Sequence, residues 1–76
     1  MQLAQLNPGD RAKIIDVRLK DKRLRQELFA RGLVRGQTLN IQQIAPFGDP
    51  ILIDISGSLI ALRKHEASYF IVERLP

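Results

Sequence analysis

Glycine and proline cut this chain into short pieces. Turn chemistry falls at Asn7-Pro8-Gly9-Asp10, at Arg35-Gly36, across Ala45-Pro46-Phe47-Gly48-Asp49-Pro50 and at Ser56-Gly57-Ser58. Proline presets the backbone for a turn and glycine supplies the conformations other residues avoid. No piece between these breaks has room for more than one short element or two. The residues inside the pieces are rich in Ile, Leu and Val, which suit strands. Arg11–Arg18 reads as a first strand. Leu39, Ile41 and Ile44 begin in a period of two and slip by one, the pattern of a bulged strand. Ile51, Ile53 and Ile55 alternate with Leu52, Asp54 and Ser56, the mark of a half-buried strand. A tight hairpin leads into Leu59–Leu62, and Tyr69–Glu73 forms the last strand. About five short strands joined by tight turns predict a small barrel.

One stretch changes period. Asp21 is placed to cap a helix over Lys22–Arg31, with Gly32 just past its end. Leu33 then folds back on Leu28. Leu24 and Leu28 share a face, and Glu27 is spaced to pair with Arg31. Phe29, about 100° round from Leu28, is expected to widen the apolar stripe. Arg63–Ser68 reads as one further helical turn. The expected core is Ile14 or Ile15, Val17, Leu24, Leu28, Leu33, Leu39, Ile41, Ile53, Leu62 and Val72. With 76 residues the chain is expected to form one domain, residues 1–76, mainly β with one short α-helix.

Absences in the sequence narrow the chemistry. There is no cysteine and one histidine, so disulfides, thiolate ligands and multi-imidazole zinc sites are excluded. His65 stands beside Glu66, and adjacent helical positions do not face each other; no metal site is expected there. Ser56, Ser58 and Ser68 have no recognisable general base. Gly32-Leu33-Val34-Arg35-Gly36 lacks the spacing and the Lys-Ser or Lys-Thr of a phosphate loop. No run approaches the roughly 20 apolar residues of a membrane helix, and the N-terminus has no secretory signal pattern. The expectation is a binding module with no enzymatic activity and no cofactor.

The charge is unevenly spread. Net charge is +4, yet residues 11–35 hold nine basic and three acidic residues while residues 36–62 hold only Asp49 and Asp54. A basic surface suits an acidic partner. Lys22, Arg23 and Arg25 are the helix cations left without an expected partner. With no Trp, one Tyr and three Phe, an aromatic groove for proline-rich peptides is not expected. Nucleic acid is the alternative partner, though stacking aromatics beside the basic residues are few.

Taken in order, these features resemble one family. A turn ending at Gly9 and a strand precede Arg23-Leu24, Gly32-Leu33-Val34 and Gly36. Then come Ala45-Pro46-Phe47-Gly48-Asp49-Pro50-Ile51 and Leu62-Arg63-Lys64-His65-Glu66-Ala67. From about Leu3 to Val72 the chain is similar to FeoA, the small cytosolic protein of bacterial ferrous iron transport. The family often has Pro in place of Arg35 and Leu in place of Phe47. The resemblance implies an SH3-like barrel. It implies a cytoplasmic accessory, peripheral at the inner membrane through FeoB, the membrane iron transporter that carries a GTP-hydrolysing domain. It also implies transition-metal binding, for which this chain's own ligand set is thin; a metal sensor or chaperone is the third reading. Two surfaces are the expected contacts for FeoB: the helix cations Lys22, Arg23 and Arg25, and the loop Pro46, Phe47, Gly48, Asp49 and Pro50.

Overall fold

A computed structural model describes all residues, 1–76. The strands are β1 (Arg11–Val17), β2 (Thr38–Ile44), β3 (Ile51–Ile55), β4 (Ser58–Leu62) and β5 (Phe70–Leu75). They form one antiparallel sheet in the order β4-β3-β2-β1-β5. Helix α1 (Lys22–Ala30) joins β1 to β2, and the short α2 (Lys64–Ala67) joins β4 to β5. The mainly β architecture with one real helix matches the expectation from the sequence.

Two irregularities bend the sheet. Its register shifts between Ile14 and Asp16 against β5, and between Ile41 and Gln43 against β2's other neighbour, β3. A bulge inserts a residue, bends its strand and sharpens the twist. The second bulge lies where the alternation of Leu39, Ile41 and Ile44 slips. Bent this way, the sheet surrounds its own core of 17 buried residues, all apolar. Ile14, not Ile15, faces inward: Ala12 and Ile14 are fully buried while Ile15 is 38% exposed.

The helix stop is legible atom by atom. Asp21 Oδ1 accepts from the Leu24 N–H at 3.2 Å. At the other end the Leu33 N–H donates to the Leu28 carbonyl and the Gly32 N–H to the Phe29 carbonyl. That pairing is a Schellman motif. Gly32 has φ +102°, and a Cβ there would lie 3.1 Å from Ile55 Cγ2. The stop therefore seats the end of α1 against β3.

Three expectations about the core and α1 are corrected. Phe29 is exposed rather than part of the core stripe. The helix buries Leu28 alone, with Leu24 only partly covered, so its apolar stripe is too narrow to include a side chain 100° away. Val17 and Leu24 pack on the core from its margin instead of inside it. Glu27 and Arg31 form no ion pair; the salt bridges are Arg18–Asp16, Arg63–Asp49 and Arg74–Asp10.

The N-terminal residues contribute more than their sequence announces. Leu3–Gln5 forms a 3-10 turn that buries Leu3, and Leu6 is buried beside it. Before it, Gln2 bridges Ile71, and the Val72 N–H donates to the Met1 carbonyl at 2.8 Å. Strand β5 is thus bonded on both sides.

Replacing Leu28 with Ala should cost about 2–5 kcal/mol, because the side chain is buried in a core with little freedom to collapse. Urea denaturation measures this, and a loss below about 1 kcal/mol would remove Leu28 from the core. Gly32→Ala should cost about 1–3 kcal/mol through its positive φ and the Ile55 contact. The same assay reads it.

Candidate functional site

The two contact surfaces expected from the sequence lie on different connections, and α2 ties them together. Asp21 is held by its capping role, so Lys22 and Arg23 begin α1 pointing into solvent, both exposed. Neither forms a salt bridge. Arg25 differs. It is half-buried, and its guanidinium donates to the Leu19 carbonyl at 3.3 Å. Part of its hydrogen-bonding capacity is therefore spent on the β1–α1 connection.

The loop 46–50 is anchored rather than free. Asp49 Oδ1 accepts from the Lys64 N–H at 3.0 Å and lies 4.0 Å from the Arg63 guanidinium. Glu66 Oε1 accepts from the Arg63 N–H at 3.0 Å. Two carboxylates thus satisfy orphan amides at the start of α2, the favourable end of a helix for negative charge. Gly48 passes close to the Lys64 side chain. Pro46 is exposed and Pro50 half-buried, and the Asp49–Pro50 peptide is cis. Phe47 at the tip is 99% exposed. Anchored at Asp49 and bare at Phe47, the loop presents an uncovered aromatic ring.

Between α1 and α2 lies a groove of about 390 Å³. Leu19 and Leu24 supply its apolar surface, Arg18 and Lys20 its cationic one, and His65 and Tyr69 its aromatic wall. The two rings meet edge to face, 5.3 Å apart at 85°. Asp21 also lines the groove but is occupied by Leu24 N–H. An apolar floor with basic and aromatic sides suits an acidic segment carrying one apolar side chain.

Sequence reasoning missed the groove because its residues come from two distant segments, 18–24 and 65–69. The signal available was local: the basic run Arg18–Arg25 and the i, i+4 spacing of His65 and Tyr69, which puts both on one side of a helical turn. His65 does not join a metal-binding cluster; no three His, Asp or Glu side chains converge. No helix is long and apolar enough to cross a membrane.

Comparison with known proteins gives a consistent picture. Residues 1–74 match the FeoA domain. A Porphyromonas gingivalis protein described as an Fe(2+) transport protein A/Fe(2+) transporter FeoB fusion is 33% identical over 73 residues, covering 96% of this chain. The chain spans only 8% of that relative's length. The solution structure of an FeoA protein from Chlorobium tepidum superposes with a TM-score of 0.93 at 38% identity, covering 100% of this chain and 71% of the other. A zinc-complexed FeoA from Stenotrophomonas maltophilia, described as an SH3 domain protein, superposes with a TM-score of 0.82 at 25% identity, covering 96% of this chain and 89% of that one. The bent five-stranded sheet is thus the SH3-like fold expected from the sequence. Matched over nearly its whole length, the chain belongs to the FeoA family, which is associated with ferrous iron transport.

Proposed function

We propose that this protein is a non-catalytic accessory of ferrous iron uptake that binds the cytoplasmic part of the membrane transporter FeoB. The observation that carries the reading is the fusion relative, in which a region similar to this chain shares a polypeptide with an FeoB transporter. Covalent linkage raises the effective concentration of one module for another, and separate chains that act together need a surface to replace it. The groove and its surroundings supply that surface. Lys22 and Arg23 are exposed without ion-pair partners, Arg18 and Lys20 flank the groove, and Phe47 stands uncovered on the anchored loop. The charges favour an acidic face on FeoB and steer its approach. Phe47 offers the aromatic anchor that interface centres favour. The protein would then work in the cytoplasm, peripheral at the inner membrane through its partner.

Capture of FeoB from bacterial membranes, with this protein as bait and nucleotides varied, tests the reading. Folded bait that recovers no FeoB under any nucleotide condition would refute it. The charge-reversing pair Lys22→Glu/Arg23→Glu should fold normally, since neither side chain has a bonded partner, and should weaken capture about tenfold or more. Arg23→Glu/Arg25→Glu should weaken it too, with some loss of stability from the Arg25–Leu19 bond. Phe47→Ser should leave stability within about 0.5 kcal/mol, as exposed substitutions do, while reducing capture. Unchanged capture by Lys22→Glu/Arg23→Glu removes the helix face from the interface, and unchanged capture by Phe47→Ser removes the loop.

A further inference from the structure

The two edges of the sheet are finished differently. On β5 the chain's own N-terminus is bonded along the outer side, through Met1 and the Gln2–Ile71 bridge. On β4 nothing takes that place. The hairpin joining β3 to β4 turns at Ser56 and Gly57, both with positive φ, a type I′ turn. Its closing pair Ile55–Ser58 is hydrogen-bonded in such a hairpin, and antiparallel pairs alternate. Continuing along the unbroken register, Ile53–Ile60 and Ile51–Leu62 are the bonded pairs, and Asp54–Leu59 and Leu52–Ala61 are not. The backbone N–H and C=O of Leu59 and Ala61 therefore point away from β3. No turn, loop or side-chain bond uses them.

Proteins blunt such edges with charges, prolines or bulges. Strand β4 reads Ser-Leu-Ile-Ala-Leu and has none of these. Leu59 is 60% exposed and Ala61 is exposed beside it on the outer face, next to half-buried Leu52.

We infer that β4 is a self-association edge, pairing antiparallel with β4 of a second copy about a twofold axis at Ile60. The register follows from the free groups. Leu59 and Ala61 point outward, so Leu59 of one copy must oppose Ala61 of the other, and the axis repeats the pair. Each pair exchanges both backbone hydrogen bonds, and its side chains join on the outer face. Charge favours a second copy as the occupant. The same register puts Arg63 of one copy opposite Gly57 of the other. The Gly57 N–H is held by Asp54 Oδ1 at 3.0 Å. Asp54 shares the outer face of Leu59. Arg63 directly follows β4, and its exposed guanidinium also lies 4.0 Å from Asp49 of its own chain. The axis therefore brings each Arg63 toward the other copy's Asp54. Within β4 itself no charges meet. The contact is one short strand, well below the area of a stable obligate dimer, so the association is weak and concentration-dependent.

The test is sedimentation equilibrium of the full chain over a wide concentration range, paired with amide chemical shifts at low and high concentration. The expected result is a reversible dimer whose shifts centre on Leu59, Ala61 and Arg63. Ala61→Pro is the decisive variant. Its lost N–H points away from β3, so the monomer's ladder stays intact, as proline on an edge allows. It should fold, shown by an unchanged spectrum away from β4, and weaken the dimer about tenfold or more. Arg63→Glu should also weaken it and reduce its salt dependence. A chain that stays monomeric at millimolar concentration overturns the inference. So does a dimer that Ala61→Pro leaves intact, or concentration-dependent shifts confined to the groove or the Phe47 loop. Shifts at β4 produced only by added FeoB, with no self-association, also overturn it and make this edge a heterologous contact. The presence or absence of self-association does not bear on whether FeoB is captured through Lys22 and Arg23.

Discussion

A single sheet of five strands can enclose a core only if it bends, and in this chain two bulges allow it. Each falls in a strand paired on both sides, β1 at Ile14–Asp16 and β2 at Ile41–Gln43. Without disulfides or metal clusters, stability rests on the apolar interior that this curvature closes. A domain of this size buries a modest fraction of its surface, so it has little to spare on polar groups inside. The core accordingly contains no buried polar or charged residue. Ile15 faces outward because Ala12 and Ile14 hold the inward positions of the alternation, and the register shifts just after, between Ile14 and Asp16.

Much of this was legible because the local signals agree with one another. Asp21, Gly32 and Leu33 mark the ends of α1 by hydrogen-bonding geometry that few other residues support, and the helix ends there. The slip between Ile41 and Ile44 marks a bulge because a period of two admits no other simple reading. The faults arose where burial depends on tertiary neighbours. Phe29 has a large apolar side chain, yet only one turn of α1 touches the core. Met1 to Leu6 has no strand-like alternation and no turn signal, so its bonds to β5 and the burial of Leu3 and Leu6 appear only when the last strand is in place. The groove was hidden for the same reason. Arg18–Leu24 and His65–Tyr69 are joined by topology, not by any pattern along the chain.

Helix α2 is the shortest element beyond the first turn and has the most consequence for the surface. Its first amides are held by Asp49 from the β2–β3 loop and Glu66 from its own turn. Its other side sends His65 against Tyr69 into the groove beside α1. The motif Pro46-Phe47-Gly48-Asp49-Pro50 and the motif Leu62-Arg63-Lys64-His65, separate in sequence, thereby form one structural unit. This gives Asp49 a structural role that the sequence left undefined. It leaves Phe47 as the loop residue without a structural task, which is why the proposed interface takes it as an anchor.

The uneven charge of the chain maps onto its two halves. The basic residues of 11–35 decorate β1, its connection and α1, while β2 to β4 carry only Asp49 and Asp54. Asp49 is bound to α2 and Asp54 to the hairpin turn, so both acids of that half serve backbone amides. A sheet edge protected against association would place a lysine near Leu59 or Ala61. Here the nearest basic residue is Arg63, just past the end of β4. The arrangement separates two kinds of contact on one small barrel. Charge and exposed aromatics govern the face proposed for FeoB. Backbone pairing governs the edge proposed for a second copy. Pairing at β4 uses backbone groups of Leu59 and Ala61, whereas the groove is lined by Arg18–Leu24, His65 and Tyr69, so the two proposed contacts draw on different residues.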